Sequence, residues 1–178
     1  MKILSIVLCI ALLFSSCKED TSKPTQLNSK QNIPKELLQD SVFRVFIDGN
    51  IKATDTFSLH YTLDSKIQPP VFYSLKGSDK QQRITFELPK EKIPSHFSIH
   101  LGKNKKNTES TVNRIILNYN KDRIVIKDSS LYVYFSNSEG LKFLNNRYVV
   151  QENQNDSLTL ATNTSLSNRI YNRYINQD

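Results

Sequence analysis

The chain has 178 residues, and 38% of them are hydrophobic, which is enough for one domain with its own core and too few for two. Its 24 Lys and Arg residues exceed its 17 Asp and Glu residues, but only Lys103, Lys105 and Lys106 lie close together, so most of this charge is read as a solvated surface. The sequence has only four glycines and shows no Gly-rich phosphate loop, kinase signature or nucleophile elbow, which argues against these enzyme classes.

The first sixteen residues have the pattern of a signal peptide. Lys2 supplies the positive charge, residues 3–14 form an apolar stretch, and the small residues Ser15 and Ser16 precede Cys17. Twelve apolar or small residues are too few to span the hydrocarbon core, which needs roughly 20. We therefore predict that residues 1–16 are a cleaved signal peptide.

The residues before the cleavage point resemble a bacterial lipobox. Phe14-Ser15-Ser16-Cys17 follows that motif, with Phe14 at the position where leucine is usual. The resemblance implies a diacylglycerol thioether on Cys17, so that the chain is held to a membrane by lipid. The alternative is an ordinary secretory signal with a chance cysteine. With Cys9 removed and Cys17 lipidated, no thiol remains for a disulfide or a metal.

The next three residues, Lys18-Glu19-Asp20, are similar to the short export signal that lipoproteins of Bacteroidota carry directly after the lipidated cysteine. That resemblance implies a lipid-anchored protein of the outer membrane, displayed on the cell surface. The alternative is a solvated charged tether in either leaflet.

A polar segment separates the cysteine from the folded part. Residues 17–33 are nearly free of apolar side chains and predict a flexible tether. Pro34 to Leu38 has the composition of one helical turn. We assign the remaining residues, 34–178, to one domain.

Alternation of apolar and polar residues dominates this domain and indicates short β-strands. Asp48-Gly49-Asn50 and the segment 76–79 read as turns, while 168–178 suits a short helix or a frayed tail. Regular short strands without long helices predict an all-β fold, a single antiparallel β-sandwich. The predicted strands are 42–48, 57–63, 71–75, 84–88, 97–101, 112–119, 123–127, 131–135, 141–143, 148–150 and 158–161.

Part of the domain is similar to galactose-binding-like jelly-roll modules. The likeness rests on Pro94 to Gly102, followed after a polar loop by Ile115-Ile116-Leu117 and then by Ile124-Val125-Ile126. It implies a jelly-roll-like form of the sandwich. A lipocalin-like barrel is a weaker interpretation, because the Gly-x-Trp signature of such barrels is missing from a chain without Trp.

The three histidines are the first candidates for chemistry. His96 and His100 share one face of a predicted strand but are about 13 Å apart, too far to hold one ion together. His60 would have to join one of them across the sheet. We therefore predict no metal site, no other cofactor and three histidines on a polar outer face.

Acidic residues give no clearer sign of catalysis. A glycosidase needs two carboxylates about 5 to 10 Å apart, and no motif selects a pair from Asp48, Asp55, Glu87 and Glu91. We therefore predict no catalytic residue.

Tyr132 and Tyr134 alternate with apolar residues, so one set of side chains faces away from the core. Exposed tyrosines stack on sugar rings, and polar neighbours bond the hydroxyls. Tyr132, Tyr134, His96 and His100 are therefore the candidate ligand-binding residues; the alternative is that the tyrosines are core residues.

The function expected from these features is a non-catalytic binding or interaction module, held to the membrane by lipid on Cys17, with a glycan or an envelope protein as ligand. An assembly partner or a protein that neutralises a toxin would use a surface of about 800 Å² instead. A hydrolase with an unrecognised site is the third alternative. The predicted location argues against nucleic acid as a partner.

Overall fold

The computed structural model describes residues 40–103, 109–151 and 158–176. The predicted signal peptide, Cys17, and the predicted export signal, tether and helical turn at 34–38 lie outside the described residues. In chain order the elements are β1 (Arg44–Asn50), β2 (Asp55–Leu63), β3 (Lys66–Ile67), β4 (Val71–Leu75), β5 (Gln82–Glu87), β6 (His96–His100), β7 (Thr111–Tyr119), β8 (Asp122–Lys127), α1 (Ser129–Tyr134), β9 (Phe135–Asn137), β10 (Leu141–Leu144), β11 (Arg147–Val150), β12 (Thr159–Thr162), α2 (Thr164–Ile170) and a π-helical turn (Tyr171–Ile175).

The strands form two antiparallel sheets, each of six strands within the described residues. In the first sheet the order is β10-β11-β7-β1-β5, and β8 also pairs with β7. In the second the order is β3-β2-β6-β12-β9, and β4 also pairs with β2. The chain crosses repeatedly from one sheet to the other. The predicted all-β sandwich is confirmed.

The core lies between the sheets and follows the period-two pattern. Phe57, Leu59 and Tyr61 on β2 are buried, while the intervening Ser58 and His60 are on the opposite face. Phe86 on β5 meets Tyr73 on β4 in an edge-to-face contact, with ring centroids 6.3 Å apart. Aromatic contacts of this kind hold the two sheets together.

One predicted strand is wrong. Residues 129–134 form α1, and only Phe135 of the predicted strand 131–135 is extended. The helix begins after Asp128, whose φ of 52° turns the chain sharply. The Ser130 hydroxyl also accepts a hydrogen bond from the Lys127 amide, across this turn. Of the six helical residues only Leu131 is buried. This local turn chemistry overrides the β-propensity of Tyr132, Val133 and Tyr134.

The C-terminal segment is helical, and it begins earlier than predicted. Asn163 caps α2 by accepting a hydrogen bond from the Leu166 amide at 3.1 Å. Leu166, Ile170 and Tyr174 recur every four residues and are buried against the sandwich. Within the described residues no helix is both long enough and apolar enough to cross a membrane.

Candidate ligand-binding groove

A groove of about 560 Å³ lies on the outer face of the second sheet. Its volume is in the usual range of small-ligand sites, about 300 to 1,000 Å³. Strands β2, β4 and β6 and the chain just after β6 supply the lining: Asp55, Thr56, Ser58, His60, Phe72, His100, Gly102 and Lys103.

The shape of the groove follows from the strand register. Ser58 on the central strand β2 is opposite Phe72 on one side and opposite His100 on the other. Residues opposite each other in a sheet share a face, so a small side chain lies between two large ones. Two strand spacings separate Phe72 from His100, roughly 10 Å. Phe72 is 65% exposed, so its ring forms an apolar wall that a ligand can reach.

The wall opposite Phe72 is a pair of stacked histidines. The His60 and His100 ring centroids are 4.1 Å apart, with the rings tilted by 44°. Each histidine forms a hydrogen bond through Nε2 with the serine two residues before it. The distance is 3.1 Å from Ser58 to His60 and 3.4 Å from Ser98 to His100. Burial lowers the pKa of His100, and the charges of His60 and Lys103 lower it further. His100 is therefore mainly neutral at pH 7. Because Nε2 is bonded to Ser98, the ring has Nδ1 to offer a ligand, as donor or acceptor according to the tautomer.

Asp55 and Gly102 shape the end of the groove. The backbone of Gly102 has a φ of +81°, and a Cβ there would lie 2.2 Å from Oδ2 of Asp55. Glycine at this position therefore leaves room for the carboxylate. Oδ1 of Asp55 also accepts a hydrogen bond from the Thr56 amide at 2.8 Å, which orients the carboxylate at the rim without locking it.

Of the four residues predicted to bind a ligand, only His100 lines this groove. His96, at the other end of β6, bonds the Ser167 hydroxyl through Nδ1 at 2.8 Å and so contacts α2. Tyr132 packs on Phe143 with ring centroids 5.5 Å apart.

Tyr134 faces another way. Its hydroxyl accepts a hydrogen bond from Arg169 at 2.6 Å, and the guanidinium of Arg169 lies 5.3 Å from its ring centroid. Because Tyr132 and Tyr134 are on a helix, residues two apart point to nearly opposite sides. The structure therefore does not bring the two tyrosines together.

Sequence reasoning missed Phe72 and did not assign His60 to a site. The signal for Phe72 was present, since it alternates with Val71, Tyr73 and Leu75 and must face away from them. Across residues 40–103, 109–151 and 158–176, no group of three His, Cys, Asp or Glu residues could hold a metal ion.

Two of the acidic residues considered as hydrolase candidates are engaged with arginines of the first sheet. Asp48 binds Arg83 and Arg114, and Glu87 binds Arg44. Neither lines the groove.

Comparison of the chain with protein-family models, curated proteins and solved structures finds no significant match. The groove is therefore interpreted from its geometry and chemistry.

Proposed function

We propose that this protein is an exported lipoprotein, anchored through lipid on Cys17, whose sandwich binds a glycan in the groove without catalysing a reaction. The observation that supports this most strongly is the exposed ring of Phe72. It faces the histidine pair across Ser58, and roughly 10 Å separates Phe72 from His100. A pyranose ring has an apolar C–H face that packs on such an aromatic wall. Its hydroxyls are then within reach of polar groups on the other side.

The polar lining suits hydroxyl groups. Sugar hydroxyls both donate and accept hydrogen bonds, and the groove provides both kinds of partner. The Asp55 carboxylate accepts, the Lys103 ammonium donates, and Nδ1 of the neutral His100 ring can do either according to its tautomer.

Binding is favoured over hydrolysis by the number of acids at this site. Among the described residues that line the groove, Asp55 is the one carboxylate. Glycoside hydrolysis in most families requires two carboxyl groups flanking the bond that is cleaved. The lining of the groove therefore suits binding of a sugar, and its described residues do not include the pair of carboxyl groups that usually cleaves a glycosidic bond.

Replacing Phe72 with alanine is expected to weaken glycan binding about tenfold, because an aromatic contact of about 1.4 kcal/mol is lost. The ligand would be selected on an array of neutral and acidic oligosaccharides, and its affinity measured by titration calorimetry. Tyr132→Ala is the matched control, because Tyr132 is similarly exposed, at 63%, but does not line the groove. Equal affinity of Phe72→Ala and the native protein would reject this site.

Failure of every oligosaccharide to bind would reject the glycan proposal as a whole. The alternative, an envelope assembly partner or a toxin-neutralising lipoprotein, would then be favoured, since such a protein recognises a protein surface.

Replacing Cys17 with serine is expected to move the protein from the membrane fraction to the soluble fraction once the membranes are washed with high salt, because the anchoring acyl chains cannot be attached and the wash removes proteins held by charge alone. Cys9→Ser is the control and should leave fractionation unchanged, since Cys9 belongs to the predicted signal peptide. Protease added to intact cells tests surface display: the native protein should be degraded, and a protein with Lys18, Glu19 and Asp20 replaced by alanine should be protected. Membrane association of Cys17→Ser that survives the high-salt wash would contradict the anchor.

A further inference from the structure

A second concave surface lies between β8 and the helical segment made of α2 and the π-helical turn. It encloses about 490 Å³. Three exposed arginines line it: Arg123 from β8, and Arg169 and Arg173 from the helical segment. Neutral donors complete the polar lining: Ser165, Asn168 and Asn172. We call this surface the arginine groove.

The helical segment is amphipathic in a way that creates this groove. Residues 165, 168, 169, 172 and 173 follow the alternating spacing of three and one that places side chains on one helical face. Leu166, Ile170 and Tyr174 are buried on the other face. The packing that attaches the helix to the sandwich therefore also directs its polar side chains toward Arg123.

The charges of the groove are not balanced within it. No acidic residue lines the described surface of the arginine groove. Asp122, beside it, forms an ion pair with Arg173. Arg169 is held in place by its hydrogen bond to the Tyr134 hydroxyl at 2.6 Å and by its position over the Tyr134 ring. The positive charges are thus partly preorganised, which lowers the entropic cost of binding an anion.

Guanidinium groups that line one surface together with amide and hydroxyl donors suit a phosphate group. Each guanidinium presents N–H groups in a fixed fork that matches two oxygens of a phosphate. A phosphate has three or four oxygens, so it can engage more than one arginine and still accept from Asn168 or Asn172.

The groove lies at the end of the sandwich from which the chain continues toward Cys17. Arg44 at the start of β1 is opposite Asn118, and Asn118 is opposite Arg123. Arg44 also forms an ion pair with Asp40, the first described residue. The ring of Phe43, next to Arg44, contacts that of Tyr174 at 5.7 Å. The end of the fold that holds Asp40, the first described residue, therefore carries the arginines.

Two exposed apolar side chains on the same helical segment favour a lipid surface over a soluble phosphate. Tyr171 is 51% exposed and Ile175 is 45% exposed. Tyrosine is enriched at the interface between membrane and water, and arginine with apolar neighbours is typical of helices that lie on membranes.

We propose that the arginine groove binds the phosphate groups of anionic lipids in the membrane that carries the anchor, and so docks this end of the sandwich on the bilayer. The inference rests on the proposed anchoring through Cys17. From Cys17 to Asp40 the chain reaches at most on the order of 80 Å. A linker of this kind keeps the groove at an effective concentration near the millimolar range, so a weak site is occupied.

The test uses the mature chain from residue 17 onward with Cys17→Ser, so that acyl chains cannot hold it to lipid. Sedimentation with phosphatidylcholine vesicles is compared with sedimentation with vesicles that also contain phosphatidylglycerol. We expect binding only to the second kind. Arg123→Gln with Arg169→Gln should weaken that binding about thirtyfold, because each basic residue near an anionic surface contributes about 1 kcal/mol.

The control removes the same charge elsewhere. Lys142 and Arg147 are exposed residues of β10 and β11 outside the groove, and replacing both with glutamine should weaken binding less than threefold. Arg123→Glu alone provides a second variant, because Arg123 is an exposed strand residue whose replacement leaves the contact between Arg169 and Tyr134 intact.

Three outcomes would overturn the proposal. Equal loss in the groove variant and in the control would mean that net charge alone attracts the protein. Absence of binding to either kind of vesicle would mean that the groove is not a lipid site. Saturation by inorganic phosphate, without vesicle binding, would assign the groove to a soluble phosphorylated ligand. Because the protein tested has no lipid, these outcomes are independent of whether Cys17 is lipidated, which fractionation measures separately.

Discussion

Replacing Asp48 with asparagine is expected to lower the free energy of unfolding by about 3 kcal/mol, the lower end of the range for breaking a buried ion pair. Asp48 is on β1 with 2% of its surface exposed. Its Oδ1 accepts from Arg83 Nε at 2.6 Å and its Oδ2 from Arg114 Nε at 2.7 Å. A neutral amide would leave two guanidinium groups without their anion. The cost stays at the lower end because the Arg114 side chain is 38% exposed and can turn toward water.

The same carboxylate makes stability dependent on pH. Burial by itself raises the pKa of Asp48, but the hydrogen bonds and charges of Arg83 and Arg114 outweigh it, and the pKa is lowered. A carboxylate with a lowered pKa in the folded state stabilises the protein above its unfolded pKa of about 3.9. That contribution is lost as pH falls through the folded-state pKa. The difference between native protein and Asp48→Asn should be constant from about pH 5 to 8 and shrink below about pH 4.

Urea unfolding followed by circular dichroism, at neutral and at acidic pH, measures both effects. Asp79→Asn is the matched control, since it makes the same chemical change at a side chain that is 93% exposed and pairs only on the surface with Lys52. It should leave the unfolding midpoint unchanged within error. A loss for Asp48→Asn as small as that of the control would show that the arginines rearrange without cost.

The role of Asp48 could not be predicted from the sequence. The alternation around it indicated a strand, which is present, but Asp48-Gly49-Asn50 read as a turn, whereas β1 continues to Asn50. The arginines that bury the carboxylate are 35 and 66 residues away along the chain. Only the pairing of β1 with β5 and β7 brings them together, and strand order is a tertiary property that local alternation does not encode.

The ligand-binding groove, like Asp48, could be predicted from the sequence only in part. Period-two alternation correctly placed His60 and His100 on an outer face, because the neighbours of each histidine along its strand are apolar and buried: Leu59, Tyr61 and Ile99. It could not show that β2 and β6 are neighbours, and therefore that the two rings touch. For Tyr132 and Tyr134 the pattern itself misled, because six residues with strand-like composition form a helix after a sharp turn. The arginine groove was missed because the helix begins at Thr164, before the segment in which a helix was predicted.

Replacing Gly49 with alanine is expected to destabilise the protein by about 3 kcal/mol, the upper part of the range for overpacked positions. A Cβ on Gly49 would lie 1.9 Å from the carbonyl oxygen of Thr111. That oxygen belongs to the main chain of β7, which pairs with β1 and β11 and so cannot move aside as a side chain can. The register of β1 with β7 also shifts between Asp48 and Gly49, so this close approach occurs at a β-bulge. Urea unfolding measures the loss.

Gly102→Ala is the informative comparison for Gly49→Ala. At Gly102 the added Cβ meets the Asp55 side chain, which can move, and the cost is mainly that of a left-handed backbone, about 1 to 2 kcal/mol. A loss for Gly49→Ala no larger than this would show that the two strands separate easily. The bulge also sets the register that places Asp48 opposite Arg114. Displacing β7 at Gly49 should therefore weaken the ion pair, so the combined variant with Asp48→Asn should cost less than the sum of the two single changes.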